Sequence, residues 1–261
     1  MNIEGTFAQA SRESRLVFIP YLMGYYPTQK RFIQCLKILN KYSDIIEIGI
    51  PEKEFSCDGS ILKEAAIVAQ KNDGTFRNII KTLTILKSEN QMSKPIFLVG
   101  SSKTFESLSD DSLLQGMVSA NIAGAIIPDI TECLYDRLSK IKKFILPGLL
   151  NPSFDDSQLK QLCNRATGFI YAANYNGKTG KRIPTTIKTL SSYFKRIQSK
   201  TELPVCSGFG ISNSHDINLI KEHVDAIAIG TKISKLINND KSLELVNLKS
   251  SLEEIKSSLY R

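Results

Sequence analysis

Short apolar runs rich in β-branched residues alternate with amphipathic stretches along nearly the whole chain. Eight such runs stand out, at residues 16–22, 45–50, 96–99, 124–127, 144–146, 168–171, 205–207 and 226–229. They are almost continuously apolar and do not alternate with polar residues, which is the pattern of parallel strands covered on both faces. Between them, apolar positions recur at helical spacing. Phe32, Ile33, Leu36 and Leu39 share one face of residues 29–42, and Ile217, Leu219 and Ile220 are read as the inward residues of 216–223. Two more helices lie outside the alternation, one over residues 3–12 and a long one over 243–259, and both are expected to cover the bottom of the fold.

Eight strand–helix units in 261 residues, with no linker and no shift in composition, predict one domain over residues 1–261. Its class is α/β, and its architecture a single closed (β/α)8 TIM barrel with an extra N-terminal helix and a long C-terminal helix. The competing arrangement, an open doubly wound sheet, carries a glycine fingerprint after its first strand, which Leu22, Met23, Gly24, Tyr25 and Tyr26 lack.

Composition narrows the function classes. Hydrophobic residues make up 42% of the chain and charged residues 23%, which excludes a disordered chain. No run approaches the roughly 18 apolar residues of a membrane span, and residues 1–15 hold no signal-peptide core, so a cytoplasmic location is expected. Cys35, Cys57, Cys133, Cys163 and Cys206 form no C-x-x-C pair and read as reduced fillers of apolar surface. The net charge of +8 is spread along the chain, densest at Lys178, Lys181 and Arg182, with no basic run interleaved with aromatics. Nucleic acid is therefore not expected as a partner, and an anionic small substrate fits the charge.

In a barrel of this kind chemistry belongs at the C-terminal ends of the strands. Glu47 alternates with Ile46 and Ile48, so it is predicted to face the barrel interior. A buried carboxyl without a partner has a raised pKa, as a general acid or base working near neutrality requires. The structural alternative is an interior Lys or Arg paired with it, and the neighbouring runs hold none. Asp58, eleven residues on, is a second carboxylate placed to fold over the mouth. Residues 174–182 are polar, hold two glycines and read as a mobile loop over the mouth, with Tyr171 just before them. The turns Ser207, Gly208, Phe209, Gly210, Ile211, Ser212 and Ile229, Gly230, Thr231 follow the last two runs. Exposed backbone N–H groups and a following helix N-terminus suit such a pair to a phosphate. His215 and His223 lie in or near the seventh helix, away from the mouth, and no metal ligand set converges; neither metal nor cofactor is expected.

These residues resemble the alpha subunit of tryptophan synthase from residue 16 to about 237. The likeness runs through Phe18, Ile19, Pro20 and Tyr21; Ile46 to Pro51; Ile126, Ile127, Pro128 and Asp129; Gly168 to Tyr171; Asn176 to Gly180; and the two glycine turns. It implies retro-aldol cleavage of indole-3-glycerol phosphate to indole and glyceraldehyde 3-phosphate, with indole passed to a pyridoxal-phosphate beta subunit in an α2β2 heterotetramer. By resemblance Glu47 protonates indole C3 and Asp58 accepts the indole N–H. Tyr21 and Tyr171 match aromatic positions of the site. Gly180, Gly210, Gly230 and Thr231, beside Phe209, hold the phosphate, and Thr179 engages Asp58 on closure.

The departures concentrate in loops that the family uses against its beta subunit. Tyr25, Tyr26 and Pro27 replace a Gly-Asp-Pro turn, residues 52–57 rewrite a Phe-Ser-Asp-Pro segment, and residues 100–104 replace Tyr-x-Asn-Pro; Tyr175 stands where the family often has Arg. The readings are thus a divergent alpha chain with a co-adapted beta partner, a stand-alone lyase releasing free indole, and a non-catalytic allosteric subunit. A barrel enzyme acting on another phosphorylated substrate would need Lys or His at the strand ends, and none is found there.

Overall fold

The computed structural model describes residues 2–52, 59–174, 187–240 and 242–261. Its strands are β1 Val17–Met23, β2 Ile46–Gly49, β3 Ile96–Val99, β4 Ile122–Ile126, β5 Gly148–Leu150, β6 Ile170–Ala173, β7 Val205–Gly208 and β8 Ala226–Ile229. All pair in parallel, in the order β4-β3-β2-β1-β8-β7-β6-β5. Helices fill the connections, so this is the expected (β/α)8 barrel.

Period-two alternation divides each strand between two cores. Val17, Ile19, Ile45, Phe97, Phe169, Tyr171, Cys206, Ala226 and Ala228 pack together inside the barrel. Their chain neighbours Phe18, Leu22, Ile46, Ile48, Leu98, Ile170, Ala172 and Ile227 pack outward with the helices. The helix Gln29–Tyr42 has the predicted bounds, is capped by the Thr28 hydroxyl accepting from Arg31 N, and buries Phe32, Cys35, Leu36 and Leu39. The helix Ile3–Arg12 closes the bottom: its Ile3, Phe7 and Ala10 join the inner core, and the Phe7 ring stands 5.9 Å from that of Phe169.

Three expectations need correction. The fifth strand is Gly148–Leu150, whereas residues 144–146 form only a bridge between Ile145 and Gly124. Pro147 separates the two halves of this seam. On one side Ile145 N donates to Ala123 O and Ala125 N donates to Ile145 O, both at 3.0 Å, which closes the barrel between β4 and β5. On the other side Gly148–Leu150 pairs with β6. The C-terminal helix is Val246–Ser258, shorter than expected at its start. The buried Asp240 carboxylate accepts from Ser242 N, the Ser242 hydroxyl, Asn247 N and Leu248 N, and this turn occupies the residues read as the helix start. Finally, the helix after β7 is Ser214–Ile220; Ile217 and Ile220 are buried, but Leu219 is exposed, two residues and so about 200° around the helix from Ile217.

Cys35, Cys163 and Cys206 are buried free thiols, Cys133 is free but exposed, and Cys57 lies outside the described residues. No helix among the described residues is long and apolar enough to cross a membrane.

The closing seam leaves no room for a side chain at position 124. A Cβ on Gly124 would stand 1.9 Å from the Ile145 carbonyl oxygen. Because the obstacle is backbone, Gly124→Ala is expected to cost at least about 2 kcal/mol in urea unfolding; a loss within error of zero would show that the seam does not hold the barrel shut.

Candidate active site

Glu47 sits in register between Tyr21 of β1 and Phe97 of β3, with Ile46 and Ile48 directed to the helix layer. Its carboxyl is therefore inside the barrel, and the residue is 3% exposed. No charged partner offsets that burial among the described residues, and Oε1 has no hydrogen-bond partner there. Loss of hydration penalises the carboxylate, and burial pushes the Glu47 carboxyl up to about 8. The same surroundings push the Tyr171 hydroxyl and the Cys206 thiol well above their usual ranges, burial first and the Glu47 charge next. Cys206 is consequently an inert thiol at neutral pH.

Aromatic rings stand on both sides of this carboxyl, and glycines make space for them. A Cβ on Gly49 would lie 2.0 Å from the Tyr21 hydroxyl oxygen, and one on Gly208 would lie 2.3 Å from Tyr171 Cε1. Tyr21 also runs past Gly230, whose added Cβ would meet Tyr21 Cβ at 3.3 Å. Tyr171 in turn meets the Phe209 ring edge-on, with centroids 6.1 Å apart.

The two glycine turns lie at the ends of the adjacent strands β7 and β8. Phe209 and Gly210 both take positive φ, 66° and 84°, so the chain leaves β7 through left-handed backbone. Gly230 is the N-cap of the helix Thr231–Asn239 and supplies no side-chain cap, so the positive end of that helix opens at the mouth. On the opposite arc of the rim Glu52 accepts from Ser101 N at 2.7 Å and from the Ser101 hydroxyl, while Ser102 N donates to Asp129 Oδ1 at 2.8 Å. These bonds tie together the loops after β2, β3 and β4.

The structure thus gathers Glu47, Tyr21, Tyr171, Phe209, Gly210, Gly230 and Thr231 at one end of the barrel. Asp58, Thr179, Gly180 and the rest of loop 175–182 lie outside the described residues. Asn174, read from sequence as the first residue of that loop, is instead wholly buried in the wall, bonded to Ser207 and Phe209. The signal was present: a polar amide directly follows the apolar run, and a serine ends the run beside it. Among the described residues no group of three or more His, Cys, Asp or Glu could hold a metal ion.

Comparison with known proteins gives the barrel a family. The family model for the tryptophan synthase alpha chain matches residues 7–259. The tryptophan synthase alpha chain of Staphylococcus haemolyticus is 30% identical over 247 residues, covering 93% of this chain and 99% of that one. Its counterpart from Methanocaldococcus jannaschii is 26% identical, covering 91% and 85% respectively. Among solved structures, a protein from Aquifex aeolicus superposes with a TM-score of 0.87 at 22% identity, each chain covered completely. A chain of Mycobacterium tuberculosis tryptophan synthase also gives 0.87, at 18% identity, with 99% and 98% covered. At those identities the superpositions speak for the fold, and the family match that runs almost from end to end carries the rest: this chain belongs to the tryptophan synthase alpha chain family.

Proposed function

We propose that this chain cleaves indole-3-glycerol phosphate to indole and glyceraldehyde 3-phosphate, the lyase step of tryptophan biosynthesis, with Glu47 as its proton-transferring group. The observation that carries this reading is a buried inward carboxyl that no charged partner offsets among the described residues, raised to about 8. At neutral pH such a group is mostly protonated and can give its proton to indole C3. The carboxylate that results accepts the proton of the glycerol-chain hydroxyl next to the ring. The carbon–carbon bond then breaks, its electron pair returning to the ring as the hydroxyl carbon becomes the aldehyde. One proton is given and one received, so Glu47 ends as it began.

Asp58 is assigned to the indole N–H, where it offsets positive charge on the protonated ring. Tyr21 and Tyr171 flank the ring, and Phe209 closes the side toward the phosphate. Gly180, Gly210, Gly230 and Thr231 take the phosphate, and Thr179 pairs with Asp58 when substrate is bound. The proposed partner is a tryptophan synthase beta subunit in an α2β2 assembly, in the cytoplasm, whose contact surface is matched to the altered loops 25–27, 52–57 and 100–104.

Indole release by the purified chain, alone and with a beta subunit, tests the reading. Slow release raised by the beta subunit is expected; rapid release by the chain alone would mark a stand-alone lyase, and none in either arm a non-catalytic subunit.

Glu47→Gln is expected to lower kcat at least about a hundredfold, because the nearly isosteric amide cannot transfer the proton. Substantial residual turnover would remove Glu47 from its role. The wild-type kcat/KM should fall as pH rises through about 8, where Glu47 loses its proton.

The same group makes a prediction about stability. The folded state holds this proton up to about 8, while the unfolded chain releases it near 4.5. Wild-type stability should therefore fall relative to Glu47→Gln by about 1.4 kcal/mol per pH unit across that interval. Parallel pH–stability curves for the two proteins would show that Glu47 is not buried as described.

At the other end of the substrate, Gly230→Asp should raise KM at least about tenfold through repulsion of the phosphate dianion. An unchanged KM would put the phosphate elsewhere.

A further inference from the structure

Asn174 follows the last residue of β6 and has no solvent exposure. Its backbone N–H and both ends of its side-chain amide are used. Its backbone N–H donates to Gly208 O at 3.0 Å, its Oδ1 accepts from the Ser207 hydroxyl at 2.7 Å, and its Nδ2 donates to Phe209 O at 2.9 Å. The Phe209 carbonyl, which can only accept, fixes which way the amide faces, since a flip would turn Oδ1 toward it; the Ser207 hydroxyl, donating to Oδ1, anchors the other end of the amide.

The third bond has a geometric consequence. In a trans peptide the carbonyl of Phe209 and the N–H of Gly210 point in opposite directions. Holding Phe209 O against the wall therefore aims the Gly210 N–H away from it, and no described residue accepts from that N–H. Phe209 is an aromatic residue at φ 66°, a conformation that is unfavourable without support. Asn174 supplies that support from the barrel wall, between the ends of β6 and β7.

We propose that Asn174 is a positioning residue for phosphate binding: by fixing the Phe209 carbonyl it presents the Gly210 N–H to the phosphate, and Ser207 anchors the amide that does so. The inference rests on the reading of the reaction given above and adds to it the device that shapes the anion turn.

The test compares wild type, Asn174→Ala and Ser207→Ala by calorimetric binding of glycerol 3-phosphate and of free indole, alongside indole-3-glycerol phosphate cleavage. Asn174→Ala is expected to weaken glycerol 3-phosphate on the order of tenfold, the effect of one misdirected hydrogen bond to a charged group, and to raise KM by a similar factor. Indole affinity and kcat should stay within about twofold, because the other half of the site is untouched. Ser207→Ala, which keeps the Phe209 bond but removes the anchor on Oδ1, should show a smaller loss of the same kind.

Unaltered glycerol 3-phosphate affinity in Asn174→Ala would overturn the proposal, as would equal loss of both ligands in Ser207→Ala, which would mark a general structural role. Wild type that binds glycerol 3-phosphate Asn174-dependently but cleaves nothing would overturn the lyase reading and leave Asn174 in its place.

Discussion

Withholding one carboxyl group from water is the constraint around which this barrel is arranged. Glu47 needs strands on both sides to exclude solvent and a wall that offers it no cation, since a Lys or Arg there would pull its pKa back down. The wall is aromatic instead, and rings need space. Gly49 and Gly208 provide it, because each leaves empty the volume that Tyr21 and Tyr171 fill. Gly208 and Gly230, read in the sequence as parts of a phosphate turn and assigned to the phosphate in the proposed function, also let the rings pass beside the carboxyl.

Much of this was legible in the chain because parallel strands and their helices leave strong period signals. The runs at 96–99 and 226–229 and the helix at 29–42 match the structure residue for residue, since each is bounded by turn or capping residues. Glu47 was legible for the same reason: parity within an apolar strand decides its direction. The fifth strand was not, because Pro147 divides one strand's pairing between two short segments and the more apolar of them is only a bridge. The start of the C-terminal helix was missed because Asp240 acts across a turn on Asn247 and Leu248, an interaction with no local period. Asn174 reads as the start of a loop because a polar residue after a strand is ordinarily exposed; its burial depends on Ser207, 33 residues away.

The rim and the wall use the same device. Glu52 with Ser101, Asp129 with Ser102, and Asn174 with Ser207 each join the end of one strand, or the loop after it, to its neighbour through a short polar side chain meeting a serine. Buried or half-buried bonds of this kind are specific in direction where apolar packing is not. They give an apolar barrel a mouth of fixed outline, and they do so in the part of the chain where loops are free to diverge in sequence. The loops after β2 and β3, which the sequence reading sets apart from the family pattern, are joined to each other in this way by Glu52 and Ser101.

At the other end, the helix Ile3–Arg12 lays Phe7 against Phe169, which meets Phe97 edge-on, and Phe97 stands beside Glu47 in register. The floor beneath the carboxyl is thus a continuous aromatic stack. It covers the carboxyl from below with apolar rings. On the proposed function, a substrate seated in the mouth would complete from above the covering that keeps Glu47 dry.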